Sequence, residues 1–389
     1  MAFLYPYQED AVKKMKNGCI LCGGVGSGKS RTGLAYYFLR QGGDRENIKP
    51  LVNPKKLYII TTARKRDTHE WEDELAPFDI HSEAIDSWNN IKKYADVRDS
   101  FFLFDEQRVV GYGTWSKTFI KIAKNNEWIL LSATPGDTWL DYIPVFIANG
   151  FYRNKTEFTC MHVVYSRNTK YPSVSSYLNV GRLIKLRNDI LINMDYKTPA
   201  TLNHQTVIAD YDMQLYRQVM RTRQDPETGE PFNDISGLCY ALRKIANSSL
   251  SRQSITKQIA EKHGKVIIFY SFDYELDILK KLFWNRGFEI AEWNGHKHED
   301  IPDSSKWVYL VNYMAGSEGW NCIKTDTIIF YSQSYSYKTM IQASGRIDRL
   351  NTPFRVLNYY HLRTNSTIDI SIMKALASKK NFNERDFVK

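Results

Sequence analysis

Short apolar runs of strand length alternate with segments of helical periodicity along almost the whole chain, as expected of a parallel sheet whose crossovers are helices. In the first half the runs fall at residues 18–21, 57–61, 101–104 and 128–131, and in the second at 266–270, 288–293, 307–311, 327–331 and 355–359. Two sheets are implied, one in each half. Between them, from about residue 151 to 259, the alternation weakens and helical spacing takes over. Tyr211, Leu215 and Val219 share one helical face there, and Leu238, Leu242 and Ile245 another. Residues 225–231, Asp-Pro-Glu-Thr-Gly-Glu-Pro, gather turn formers and carboxylates and predict an exposed connection. The expected organisation is an amino-terminal α/β domain over 1–155, a connecting segment over 156–205, and a carboxy-terminal α/β domain with a helical lead-in over 206–389.

Composition narrows the picture. A chain of 389 residues exceeds what one hydrophobic core organises, which agrees with two domains. No apolar run approaches the ~20 residues that cross a bilayer, so no membrane association is expected. The first residues are polar and aromatic rather than a basic patch followed by a long apolar run, which predicts a cytoplasmic protein without a secretory signal. With 53 Lys plus Arg against 43 Asp plus Glu the net charge is +10, which suits an anionic polymer as partner without naming it. Five cysteines are too few and scattered for a disulfide framework. Cys19 and Cys22 form a C-x-x-C in an apolar run with no second ligand pair at zinc spacing, so buried cysteines are expected there, and His296-Lys-His298 reads as a loop.

Three segments carry chemistry. Gly23-Gly-Val-Gly-Ser-Gly-Lys-Ser30 fits G-x-x-x-x-G-K-[ST], follows an apolar strand and precedes a helical stretch. In this arrangement Gly24, Gly26, Ser27 and Gly28 curl backbone N–H groups around phosphate oxygens, and Lys29 reaches the β- and γ-phosphates. Ser30 holds Mg²⁺, and Arg31 follows at the nucleotide. By itself the pattern suits a kinase, a transporter ATPase or a GTPase equally. A nucleoside triphosphatase also needs carboxylates at the end of another strand, and Phe101-Phe-Leu-Phe-Asp105-Glu106 supplies them: Asp105 for the metal and Glu106 to orient or deprotonate the attacking water. Further on, Trp128-Ile-Leu-Leu-Ser-Ala-Thr134-Pro is another strand ending in small hydroxyl residues.

In this order the motifs resemble those of the superfamily 2 helicases and translocases, whose motif III is often Ser-Ala-Thr. Tyr5-Pro-Tyr-Gln8 is similar to the family's adenine-reading glutamine segment. Gln342-Ala-Ser-Gly-Arg346-Ile-Asp-Arg349 is similar to motif VI, Q-x-x-G-R-x-x-R. Within the superfamily, 212–216, 242–247, 265–271 and Ala315-Gly-Ser-Glu-Gly-Trp-Asn321 resemble the Snf2-like branch, the last as motif V. The chain departs from that branch in reading Asp-Glu-Gln-Arg at motif II, where Gln107 takes the usual histidine's place, and its compactness resembles the small helicase-like proteins of bacteriophages.

The resemblance implies an α/β fold of two tandem RecA-like domains, an ATP·Mg²⁺ cofactor, and catalysis by Lys29, Asp105 and Glu106 from one domain with Gln342, Arg346 and Arg349 from the other. Gln8 would read the base, and Ser132, Thr134 and Gly319 would relay nucleotide state. Thr61, Thr62 and Arg64 stand where motif Ia stands and Ser87 and Trp88 where motif Ib does; with Trp320 they are the expected nucleic-acid contacts, serving a track that is DNA rather than RNA. Fixing phosphates without reading bases, they imply movement independent of sequence. The implied function is a monomeric ATP-dependent motor that translocates on or unwinds DNA in phage replication, recombination or repair, working in the host cytoplasm with replication or recombination partners. The alternatives are a double-stranded DNA translocase that remodels without unwinding, and an ATP-gated nucleic-acid clamp.

Overall fold

The strands at the centre of each half are apolar at consecutive positions, because both of their faces are covered by helices. Phe101–Asp105 and Leu57–Thr61 are buried along their whole length, as are Trp307–Val311 and Thr327–Phe330. The computed structural model describes residues 4–44, 50–106, 112–136, 138–166, 174–196, 200–316 and 320–387. The chain divides into two compact units, Met1–Lys197 and Thr198–Lys389.

The amino-terminal unit contains β1 (Ile20–Cys22), β2 (Leu57–Thr61), β3 (Ala84–Ser87), β4 (Phe101–Asp105), β5 (Glu127–Ser132), an antiparallel pair β6 (Val163–Tyr165) and β7 (Val174–Tyr177), and β8 (Leu191–Asn193). Six of these form one all-parallel sheet in the order β3-β2-β4-β5-β1-β8. Helices α1 (Pro6–Lys14), α2 (Lys29–Arg40) and α3 (Ala63–Asp67) lie ahead of β1, after β1 and after β2. Helix α2 buries Thr32 through Phe38 without interruption. It sits so close to the sheet that a Cβ on Gly33 would come within 3.2 Å of Leu103 and Leu131, so glycine at this position sets the spacing of helix and sheet.

The carboxy-terminal unit repeats the architecture. Its strands are β9 (Thr201–Ile208), β10 (Lys265–Tyr270), β11 (Glu289–Trp293), β12 (Trp307–Asn312), β13 (Thr327–Phe330) and β14 (Val356–Arg363), all parallel, in the order β11-β12-β10-β13-β14-β9. The predicted lead-in helices are present at Met213–Thr222 and Ile235–Asn247. Tyr216, Val219, Leu238 and Leu242 pack on Ile368 and Ile372 of the last long helix, Thr367–Ala377. Residues 226–231 are exposed, as the turn formers predicted.

The expectation of α/β units with mainly parallel, RecA-like sheets holds in both halves. The expected connecting segment differs: residues 156–197 belong to the first unit, where β8 extends the sheet beside β1, and β9 is the edge strand of the second. Both strands escape an apolar-run criterion, β8 because it has three residues and β9 because it is an exposed edge strand with Asn, His, Gln and Thr in succession at its centre. Cys19, just ahead of β1, is buried and Cys22, the last residue of β1, partly so, and both are free thiols. Among the described residues no cluster of three or more His, Cys, Asp or Glu could hold a metal, and no helix is long and apolar enough to cross a membrane.

Candidate functional site

Parallel pairing puts the carboxyl ends of all strands at one edge, and in the first unit the segments that carry chemistry leave from that edge. The glycine-rich loop follows β1, Thr61 ends β2 and residues 62–66 follow it, Ser87-Trp88 ends β3, Asp105-Glu106 ends β4 and Ser132-Ala-Thr134 ends β5. Strands β4 and β5 are adjacent, and β5 is adjacent to β1, with Cys22 in register with Ser132.

The loop has the shape its residue types predict. Gly26 and Gly28 take φ values of +81° and +74°, which disfavour any residue with a Cβ. A Cβ on Gly23 would stand 2.6 Å from the Ser27 hydroxyl. Gly28 caps α2 without a side-chain acceptor, which leaves the first-turn N–H groups, including that of Ser30, to an external anion. Lys29 Nζ turns back on the carbonyls of Gly23 and Gly24, each at 2.8 Å. Loss of solvation lowers its pKa to about 8, opposed by the Glu106 charge and reinforced by Lys65. A phosphate would supply the missing counter-charge. Gln8 is buried, and its amide nitrogen faces the carbonyls of Ser27 and Gly28 at 3.5 and 3.4 Å while its oxygen accepts from the Tyr5 N–H. Tyr7 donates to Ser27 O at 3.0 Å. In this arrangement the Tyr5–Gln8 segment braces the loop from behind. Arg31 pairs with Glu74 at 3.1 Å, which directs it to a neighbouring helix.

Asp105 is buried at the tip of β4. Its Oδ2 accepts from the Thr61 hydroxyl at 2.9 Å and from Lys65 Nζ at 2.8 Å. Burial alone would raise the Asp105 carboxyl; the Lys65 ammonium, the Thr61 hydroxyl and the Lys29 charge together outweigh it and hold the pKa below the ordinary value. The next residue breaks from the strand: Glu106 has φ +55°, a left-handed conformation that costs a non-glycine residue roughly 1–2 kcal/mol. The two acids therefore do not alternate across the sheet as consecutive strand residues would. Ser132 adds a direct link, since its carbonyl accepts from the N–H of Gly23 at 3.2 Å and its hydroxyl from the N–H of Thr134 at 3.1 Å. A glycine cradle, a basic group within it, a serine at the helix start and a carboxylate on a nearby strand fit a Mg²⁺-nucleotide, with Ser30 and Asp105 as the residues that would hold the metal.

The expected nucleic-acid contacts sort differently. Thr61, Thr62, Ser87 and Trp88 do converge, lining with Ala63, Asn89 and Trp115 a cavity of roughly 170 Å³ on the edge beside β2 and β3. Yet Thr61 is fully buried with its hydroxyl on Asp105, and Ser87 is 3% exposed. Trp88 is also 3% exposed, donates from Nε1 to the carbonyl of Asp105 at 2.9 Å and stacks on Phe104. It is a core residue that fixes the end of β4, which leaves little of its ring for the nucleic-acid contact expected of it. Thr62 caps α3, and Arg64 lies partly exposed on that short helix. Asp86 organises the floor: it accepts from Asn90, Tyr94 and the Ser87 N–H. Burial, which would raise its pKa, is outweighed by these bonds and the Lys93 charge, and the value falls to about 2. Lys65 and Asp86 are the residues that sequence reasoning passed over. The adjacency of β2 and β4, once known, places the first turn after β2 beside Asp105.

In the second unit, helix Tyr337–Ser344 carries Gln342, which is buried, and runs into Arg346 and Arg349. Arg346 is 5% exposed, donating to the carbonyls of Gln342 at 2.8 Å and Trp320 at 2.7 Å. Arg349 is less buried and reaches the same Trp320 carbonyl at 3.5 Å. Trp320 is 8% exposed, packs edge-on against Tyr309 and donates to Gly316 O at 2.6 Å, so it too is a core residue and not an open stacking surface. A Cβ on Gly316 would meet Val311 at 2.1 Å, which explains the glycine of that turn. Gly319 and Gln107 lie outside the described residues. The lead-in helices are tied to the sheet by polar contacts: Asn247 donates to the buried Glu275, which also accepts from Ser332 and the Ser271 N–H.

Residues 251–351 match the helicase conserved C-terminal domain. The chain is 26% identical over 163 residues to the ISWI chromatin-remodeling complex ATPase ISW1 of Saccharomyces cerevisiae, covering 39% of this chain and 14% of that protein. It is 28% identical over 159 residues to the ATP-dependent DNA helicase DDM1 of Arabidopsis thaliana, covering 38% and 20%. The matched part thus spans a fifth or less of these relatives. Among solved structures, the Sulfolobus solfataricus SWI2/SNF2 ATPase core in complex with dsDNA covers 97% of this chain and 91% of its own with 15% identity and a TM-score of 0.42, a likeness that carries no argument. These relatives lend nothing to the bacteriophage expectation. The chain is similar to the Snf2-like helicases of superfamily 2.

Proposed function

We propose that the protein is a DNA-dependent ATPase of the Snf2-like kind, coupling Mg²⁺-ATP hydrolysis to movement along nucleic acid. The observation that carries this reading is the convergence of the glycine loop, Asp105-Glu106 and Ser132-Ala-Thr134 on three consecutive strands of one sheet edge, beside a second line of motif residues at the ends of β2 and β3. In this reading Lys29 and the loop N–H groups hold the phosphates, Ser30 and Asp105 hold the metal, and Glu106 positions and deprotonates the water. A metal held by Ser30 and Asp105 would supply charge neutralisation at the phosphates. The likeness of 342–349 to motif VI gives Arg349 the role of stabilising charge on the departing phosphoryl group. Arg346, held by two carbonyls, fixes the turn that leads to Arg349.

The test is steady-state ATP turnover of wild type, Lys29→Ala and Glu106→Gln with duplex DNA present. Lys29→Ala should abolish turnover. Glu106→Gln should retain bound ATP unhydrolysed. Normal turnover in the first variant, or loss of nucleotide binding in the second, would overturn the assignment.

Translocation on duplex DNA without unwinding is the version favoured by the similarity to chromatin-remodelling ATPases. Triplex displacement without strand displacement would support it. Strand displacement on a forked substrate would support unwinding instead, and a bound complex that hydrolyses ATP without displacing either would make the protein a clamp.

A further inference from the structure

Asp105 lies at the bottom of the candidate metal site with its side chain only 4% exposed, and a carboxylate that deep needs a counter-charge in every state of the protein. In this structure the charge comes from Lys65, whose ammonium is 2.8 Å from Oδ2. Lys65 is not part of the glycine loop. It belongs to the five-residue helix α3, and its own backbone N–H points at the Thr62 hydroxyl that caps this helix, at 3.4 Å. Thr62 and Ala63, at the start of the same turn, line the cavity beside β2 and β3. One side chain thus joins the carboxylate expected to hold the metal to the turn that forms the nucleic-acid side of the edge.

A divalent cation held by Asp105 would deliver the same counter-charge. Lys65 already opposes the charge of Lys29, so a third cation beside this carboxylate raises the repulsion on Lys65 while removing its reason to stay. We propose that Lys65 is an electrostatic placeholder for the divalent metal: it pairs with Asp105 when nucleotide is absent and is displaced when Mg²⁺-nucleotide binds, so that metal occupancy is passed to α3 and the cavity wall. The proposal deepens the ATPase reading and rests on it. Lys65 acts through Asp105 and is therefore a positioning residue. By linkage, whatever Lys65 contributes to holding α3 in place must weaken metal binding by the same factor.

The experiment is a Mg²⁺ titration of fluorescent mant-ADP binding to the full chain, with wild type, Lys65→Gln, Lys65→Met, Lys65→Arg and Arg66→Gln compared. Removing the competing ammonium should lower the Mg²⁺ midpoint about tenfold in Lys65→Gln and Lys65→Met, within the usual range of such couplings. Lys65→Arg, which keeps the charge, should retain the wild-type midpoint. So should Arg66→Gln, which removes a charge from the same helix that is paired with Asp67 and Asp86 instead. In Mg²⁺-free buffer the two neutral variants should melt below wild type, and saturating Mg²⁺-ADP should close the gap. Lys65→Gln keeps a donor for Oδ2, so it supplies the comparison if Lys65→Met does not fold. An unchanged midpoint in Lys65→Gln, with wild type binding mant-ADP normally, would overturn the exchange and leave Lys65 a structural partner. An equal shift in Arg66→Gln would overturn it in favour of a general charge effect. Failure of wild type to bind mant-ADP at any Mg²⁺ concentration would overturn the ATPase reading itself, together with the exchange.

Discussion

Lys29→Met isolates what holding an ammonium ion within the glycine cradle costs. Lys29 has two backbone carbonyls for partners, and lost solvation brings its pKa from 10.5 to about 8. The difference, 10.5 less 8, is about 2.5 units, or roughly 3 kcal/mol at 1.36 kcal/mol per unit. Because the folded pKa lies below the unfolded one, the unfolded chain holds more protons between pH 8 and 10.5, and stability contributed by this site rises with pH across that window. Below pH 8 the full penalty is present and constant. Denaturant unfolding of the two proteins across pH 7 to 10.5 should therefore show wild type gaining on Lys29→Met by up to roughly 3 kcal/mol, almost all of it above pH 8. Saturating ADP, whose phosphates restore the counter-charge, should flatten the difference, and wild-type nucleotide affinity should fall as pH rises through the free-protein pKa. Parallel pH profiles for the two proteins would refute the reasoning, because they would mean that the ammonium is as well solvated in the loop as in the unfolded chain.

Three further outcomes are expected. Arg349→Ala should lower kcat on the order of 10³-fold with KM little changed, as loss of a charge offered only to the transition state does, and a change confined to KM would contradict that role. Asp86→Asn should destabilise the first unit by roughly 2 kcal/mol at neutral pH, from a pKa shift of 3.8 to about 2. That contribution is complete above pH 3.8 and lost as pH falls toward 2, so urea midpoints of the two proteins should converge in acid. Trp88→Phe should cost about 1–2 kcal/mol by leaving the Asp105 carbonyl without its donor, and leave duplex DNA affinity nearly unchanged; a loss of DNA affinity at unchanged stability would restore Trp88 as a nucleic-acid contact.

What the sequence disclosed and what it concealed have separate physical origins. Apolar runs such as 101–104 and 307–311 are conspicuous because strands covered on both faces cannot alternate, and the chemical residues stand out because they sit where those runs stop. Strand β9 was hidden by the opposite circumstance, an edge position whose half-solvated face mixes Asn, His, Gln and Thr with the apolar residues. The left-handed turn at Glu106 has no compositional signature, since glutamate takes it only under constraint from its surroundings. The pairing of Lys65 with Asp105 spans 40 positions and exists because β2 and β4 are neighbours, a fact of topology rather than of local pattern. Trp88 and Trp320 were misjudged for a related reason: an aromatic residue inside a motif looks the same whether its ring faces solvent or the core. Arg346 shows the limit of motif reading within the second unit, where a guanidinium expected at the nucleotide donates to the backbone carbonyls of Gln342 and Trp320.

The most direct measurement is ATP turnover without nucleic acid and then with duplex DNA, single-stranded DNA, a branched fork and RNA in turn, each repeated with Lys29→Ala. The account predicts a low basal rate, a marked rise with duplex DNA, a smaller response to RNA, and no turnover under any condition in the variant. A rate indifferent to every nucleic acid, or hydrolysis that survives the loss of Lys29, would contradict it.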